Sequence, residues 1–162
     1  MFALLGLILG VGLTSWGHSP PLTFDRFEIT LPDQPEGAAP LRGRLIVFLV
    51  EDRGHFARAE PLDGPFLRKP QPIVSIAVEA RGDDGTIVLG DGVVDSVSFP
   101  ARLDELMGTF RVRAVLDPGA ERSHNVPGNA ISAVETIEFI RGETQTFSLT
   151  LNDTLTSFVQ AH

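Results

Sequence analysis

The 162 residues contain no cysteine and no tyrosine, and only one tryptophan. Without cysteine there is no disulfide, no thiolate nucleophile, no cysteine-based zinc site and no lipoprotein anchor, so the fold must hold by packing alone. Positive charge is also scarce. Thirteen Lys and Arg face 21 Asp and Glu, for a net charge of −8. A chain this acidic is repelled by phosphate backbones and anionic lipid, which argues against nucleic-acid and membrane partners. No segment reaches the roughly 20 apolar residues of a membrane-spanning helix. No G-x-S-x-G nucleophile elbow occurs either.

What is present begins with Phe2–Leu13, twelve uncharged residues. This run is too short to span a bilayer and fits the apolar core of a secretory signal peptide. Ser15 and Gly17 supply small residues at the −3 and −1 positions of a cut before His18. Residues 1–17 are therefore read as a signal peptide, and the mature protein as secreted or periplasmic with no membrane attachment after cleavage. The plain alternative is a buried N-terminal strand or an uncleaved anchor.

Beyond a Pro-rich lead-in and first strand (residues 18–40), short strand patterns alternate with Gly, Pro, Asp and Asn. Phe27, Ile29 and Leu31 alternate with polar residues. Leu45–Val50 reads LIVFLV, a continuous apolar run expected to form a central strand covered on both faces. Asp52–Pro72 is irregular and holds four prolines; a structureless connection of this length is uncommon and often functional or mobile. Ile73–Ala80, Thr86–Leu89 and Val93–Phe99 follow as strands, with a hairpin signal at Gly82–Gly85. Pro100–Met107 offers one helical turn. Phe110, Val112, Ala114 and Leu116 share one face of the next strand. Ala133–Ile140 and Thr144–Leu151 read as a hairpin about Arg141-Gly142-Glu143, although Glu135 interrupts its apolar face. About eight strands and no long helix predict an all-β, immunoglobulin-like β-sandwich, with its core at 41–152 and a tail at 153–162.

Several segments read together resemble the N-terminal β domain of secreted bacterial esterase-like proteins whose C-terminal domain is of the α/β-hydrolase type. They are Gly43-Arg44-Leu45-Ile46-Val47-Phe48-Leu49, Pro70-Gln71-Pro72-Ile73, Gly108-Thr109-Phe110 with Arg113-Ala114-Val115-Leu116-Asp117, Pro127-Gly128-Asn129 and Phe147-Ser148-Leu149-Thr150-Leu151. Phe110 stands where that family tends to carry a tyrosine suited to a tyrosine corner. The resemblance covers the β domain alone, so it assigns no catalytic residue here. It implies a non-catalytic accessory or interaction domain: a stand-alone product, a remnant or a fragment of a longer hydrolase. The expected partner is a protein or carbohydrate surface, with no cofactor.

Candidate chemistry is sparse. Ser123-His124 are adjacent, but chain neighbours seldom present their side chains to each other as a catalytic pair needs. Asp83-Asp84, Asp91 and Asp95 lie beside glycines and read as turn chemistry rather than a calcium ladder. Arg68-Lys69 and Arg111/Arg113 read as solvated or locally paired. The alternative function is a copper-binding β-sandwich. Cleavage before His18 leaves an N-terminal histidine whose amine and imidazole suit copper. If strands alternate strictly in direction, the 52–72 and 117–129 loops share an end with the N-terminus, bringing His55 and His124 near His18.

Overall fold

A computed structural model describes residues 24–33, 39, 41–80, 85–119 and 124–156. Nine strands account for most of it: β1 (Arg26–Thr30), β2 (Leu41–Glu51), β3 (Ile73–Ala80), β4 (Thr86–Gly90), β5 (Val97–Phe99), β6 (Gly108–Asp117), β7 (Ala130–Ser132), β8 (Glu135–Phe139) and β9 (Thr146–Thr154). Among the described residues the helical content is three short 3₁₀ segments, at Gly54–Phe56, Pro61–Phe66 and Leu103–Glu105. The expected all-β class is therefore observed. The strands form one sheet in the order β4-β1-β9-β7-β6-β2-β3-β5, with β8 also on β6, nearly closed like a barrel.

Alternation explains the interior. Phe27, Ile29, Leu45, Val47, Leu49, Val74, Val78, Val112, Ala114, Leu116, Leu149 and Leu151 all enter one core. Phe110 joins them at 3% exposure, its ring edge-on to Phe139 with centroids 5.5 Å apart. The period-2 pattern of each strand set these faces. Glu135 sits at the exposed end of β8, so its interruption of the apolar face is resolved by position: Ile137 and Phe139 beyond it turn inward.

Several expected boundaries differ. Only Val97–Phe99 of the expected 93–99 strand is extended, because residues 91–95 form turns in which Val93 and Ser96 donate back to Gly90 and Val93 carbonyls. The expected 133–140 strand shortens to β8, and β7, which the sequence pattern did not mark, precedes it at Ala130–Ser132. Where β7 ends, Ser132 Oγ accepts from the Ala114 amide at 2.9 Å and donates to the Ala133 carbonyl at 2.7 Å, standing in for a missing ladder bond. β9 continues to Thr154, and Leu155 is buried. The turn at Ile140–Glu143 forms, but β8 and β9 do not pair: β8 lies on β6, while β9 runs parallel to β1 and antiparallel to β7. β3 and β4 likewise go to different partners. Gly82–Asp84 lies outside the described residues. Both expected hairpins are thus crossings between strands that join different neighbours.

β2 is covered on both faces, as its unbroken apolar run requires. Its inner residues enter the main core. Phe48 and Val50 point outward and are also fully buried. A second cluster of Phe48, Leu62, Val115, Ile131 and Leu155 forms on this outer face. The cover is the 52–72 segment, which folds back over β2 and β6.

Candidate functional site

The 52–72 segment is an ordered strap rather than a free loop, and its construction can be followed bond by bond. At its base, Gln71 is 2% exposed; its side-chain oxygen accepts from the Glu51 amide at 3.1 Å and its amide donates to the Lys69 carbonyl at 3.0 Å. Glu51 gathers Arg53 at 2.8 Å and Lys69 at 3.2 Å, tying the two ends of the strap to one carboxylate. The Arg53 hydrogen bond, with help from Lys69, holds the Glu51 carboxyl below its usual range against the opposing effect of burial. The strap backbone closes on itself through Gln71 N–H to the Gly64 carbonyl at 3.1 Å. Gly64 sits against Val50 and the Gln71 Cβ, where an added methyl would already be crowded at 3.1 Å.

Midway, two arginines on the outer face of β6 reach up to the strap. Arg111 donates to the Ala59 carbonyl at 2.8 Å and the Ala57 carbonyl at 3.4 Å. Arg113 pairs with Glu60 at 2.8 Å with both side chains largely covered, and its Nε is buried without a hydrogen-bond partner among the described residues. The expectation of local pairing therefore holds for Arg111, Arg113 and Lys69. Arg58 and Arg68 stand exposed on the strap and make no ion pair among the described residues.

The far end is fixed by His124. Its Nε2 lies 2.9 Å from the Leu62 carbonyl, so that nitrogen carries the proton and donates. The ring is held between Phe48, 4.5 Å away, and Phe66, 5.4 Å away and nearly parallel at 18°. Burial lowers the proton affinity of His124 more than the Leu62 carbonyl and the nearby Asp117 and Asp63 carboxylates raise it. Phe66 itself is 63% exposed, so this stack presents an aromatic ring to solvent on a fixed base. Phe99 and Val97 on β5 are exposed as well, and Phe99 pairs across the ladder with Ile73, which packs on the Phe48 cluster.

The positions singled out from sequence separate as follows. His55 is exposed, its ring centroid 3.9 Å from that of Phe56, and no contact joins it to His124. His18, Ser123, Asp83 and Asp84 lie outside the described residues. Among the described residues no three His, Asp or Glu side chains are grouped to hold a metal. Asp91 is buried as a hub, accepting from the Asp104 amide at 2.9 Å and Ser98 Oγ at 3.4 Å, while Asp95 is a left-handed turn residue with φ 64°. The strand-parity expectation fails. β2 and β6 are antiparallel, with Glu51 opposite Phe110 and Arg44 opposite Asp117, so the segments after them leave opposite ends. Alternation breaks between β4 and β5, where the chain turns a corner at 91–96 instead of reversing. The strap and the 124–129 segment still meet, because the strap lies back along the outer face as far as His124.

Sequence reading missed Phe66, Gln71 and Glu60. The strap has no periodicity to mark inward residues, although Phe56 and Leu62 among its prolines were a compositional sign of burial. In comparisons with known protein families, curated proteins and solved structures, nothing matches this chain.

Proposed function

We propose that this chain is an exported, non-catalytic interaction domain, an immunoglobulin-like sandwich akin to the front β domain of the esterase-like proteins, and that the strap face is its contact surface. The observation that carries the reading is the strap itself. A 21-residue irregular segment is fixed by Arg111, Arg113, Gln71 and His124, and what it holds outward is Phe66. Ordering such a segment costs roughly 1–2 kcal/mol per residue in backbone entropy, a cost offset before any partner arrives. An exposed aromatic on a rigid support, in a segment that also exposes Arg58 and Arg68, has the composition of a binding hot spot. The sandwich reading is supported by consecutive strands, β3 with β4 and β8 with β9, that take different partners instead of closing hairpins. Export is supported by the uncharged Phe2–Leu13 run followed by Ser15-x-Gly17.

The test places a benzophenone photo-crosslinker at Phe66 or, as a control, at the exposed Glu79, in the full chain expressed in an exporting bacterial host. The expected result is a discrete adduct from position 66 alone, on a protein whose N-terminal sequence begins at or near His18. Equal labelling from both positions, or intact Met1 protein confined to the cytosol, would contradict the reading.

A further inference from the structure

Charge is distributed unevenly about the strap. Residues 51–72 hold four basic and four acidic side chains, and Arg111 and Arg113 lie beneath them, so this face carries +2 while the rest of the −8 chain carries −10. Of the acidic groups, Glu51 is shared by Arg53 and Lys69 and Glu60 is taken by Arg113. Arg58 and Arg68 are left exposed without ion pairs among the described residues, and Arg68 lies two residues from Phe66 in the sequence.

We propose that the strap face docks a short acidic peptide segment of a partner protein, with Phe66 as apolar anchor and Arg58 and Arg68 as carboxylate contacts. This rests on the strap face being the contact surface and adds the chemistry of the partner. Guanidinium groups recognise carboxylates through charge-assisted bonds, and an adjacent aromatic supplies the desolvated centre such contacts need. The remaining −10 decides the size of the ligand. Screening at physiological ionic strength extends about 8 Å, so a short acidic segment lying on the strap meets the +2 face alone. An extended polyanion such as a uronic-acid polysaccharide, nucleic acid or anionic membrane would run past the strap and be repelled by the rest of the molecule.

The experiment measures anisotropy of a fluorescein-labelled peptide alternating Asp and Glu around one Phe, titrated with the full mature chain at low and physiological salt. The same peptide with Asn and Gln replacing the acids is the neutral probe. The variant Arg58→Glu/Arg68→Glu is compared with Arg42→Glu/Arg141→Glu, which makes the same charge change at exposed positions away from the strap. Expected are binding of the acidic but not the neutral peptide, weakening with salt, and a loss of about tenfold in the strap double variant, as two exposed charge-assisted contacts would supply. Phe66→Ser should weaken binding while leaving its salt dependence. No binding, equal loss in both double variants, or binding to polygalacturonate in place of the peptide would overturn the proposal. So would self-association in sedimentation that Arg58→Glu/Arg68→Glu abolishes, since the acidic occupant would then be a second copy. A crosslink at position 66 without peptide binding would leave the contact surface standing and remove only this assignment of its ligand.

Discussion

At the scale of single residues, two side chains carry the argument in different ways. Phe110 fills the main core at the crossing of β6 and β8, against Phe139. Truncating it leaves a cavity between strands whose backbones are pinned by their ladders, so Phe110→Ala should cost about 3–5 kcal/mol. Urea unfolding of the two proteins reads this directly, and a variant as stable as wild type would show that the ring does not support the core. His124 works through its neutral state. Its folded-state proton affinity lies below the ordinary value of 6.5, chiefly from burial. As pH falls, the unfolded chain therefore binds this proton first, and ∂ΔG/∂pH is positive. The stability it contributes is complete above 6.5 and is lost as pH falls through that value towards the lower native one. His124→Gln keeps an N–H for the Leu62 carbonyl but cannot titrate. Its unfolding free energy should drop less than that of wild type between about pH 7.5 and about pH 5; equal drops would remove His124 as the source.

At the scale of elements, the strap depends on a few polar contacts at its base and middle. Gln71→Leu keeps the volume but removes the partners of the part-buried Glu51 amide and Lys69 carbonyl, at about 1 kcal/mol for each lost hydrogen bond. The expected signature is limited proteolysis within 52–72 before any cut elsewhere, with far-ultraviolet circular dichroism unchanged. A cleavage pattern unchanged from wild type would contradict it. The same elements show what the sequence made legible. Alternation in β1, β3, β6 and β9 revealed which side chains face inward, and the unbroken LIVFLV run revealed that β2 is buried twice. Pairing was not legible, because period-2 patterns identify a strand's faces and not its neighbours. Arg141-Gly142-Glu143 makes a tight turn whether the following strand folds back on β8 or crosses to β1. The strap was visible only as an irregular Pro-rich stretch. Its contacts with Arg111, Arg113 and His124 join residues more than 50 apart, and nothing local encodes them.

At the scale of the whole molecule, an acidic domain carries one face that is neither acidic nor free to move. Net charge of −8 opposes association with other acidic surfaces, while the strap carries exposed Arg58, Phe66 and Arg68 on one ordered segment. The central claim is that this face is ordered before any partner binds. Native-state hydrogen exchange of the isolated chain tests it most directly. The backbone amides of Ala59, Asp63, Leu67 and Gln71 donate within the strap, and local opening frees such groups only in proportion to its cost. The account predicts protection of these four amides well above random coil and lowered together by Gln71→Leu. Exchange at the random-coil rate across 52–72, with β2 and β6 fully protected, would contradict it.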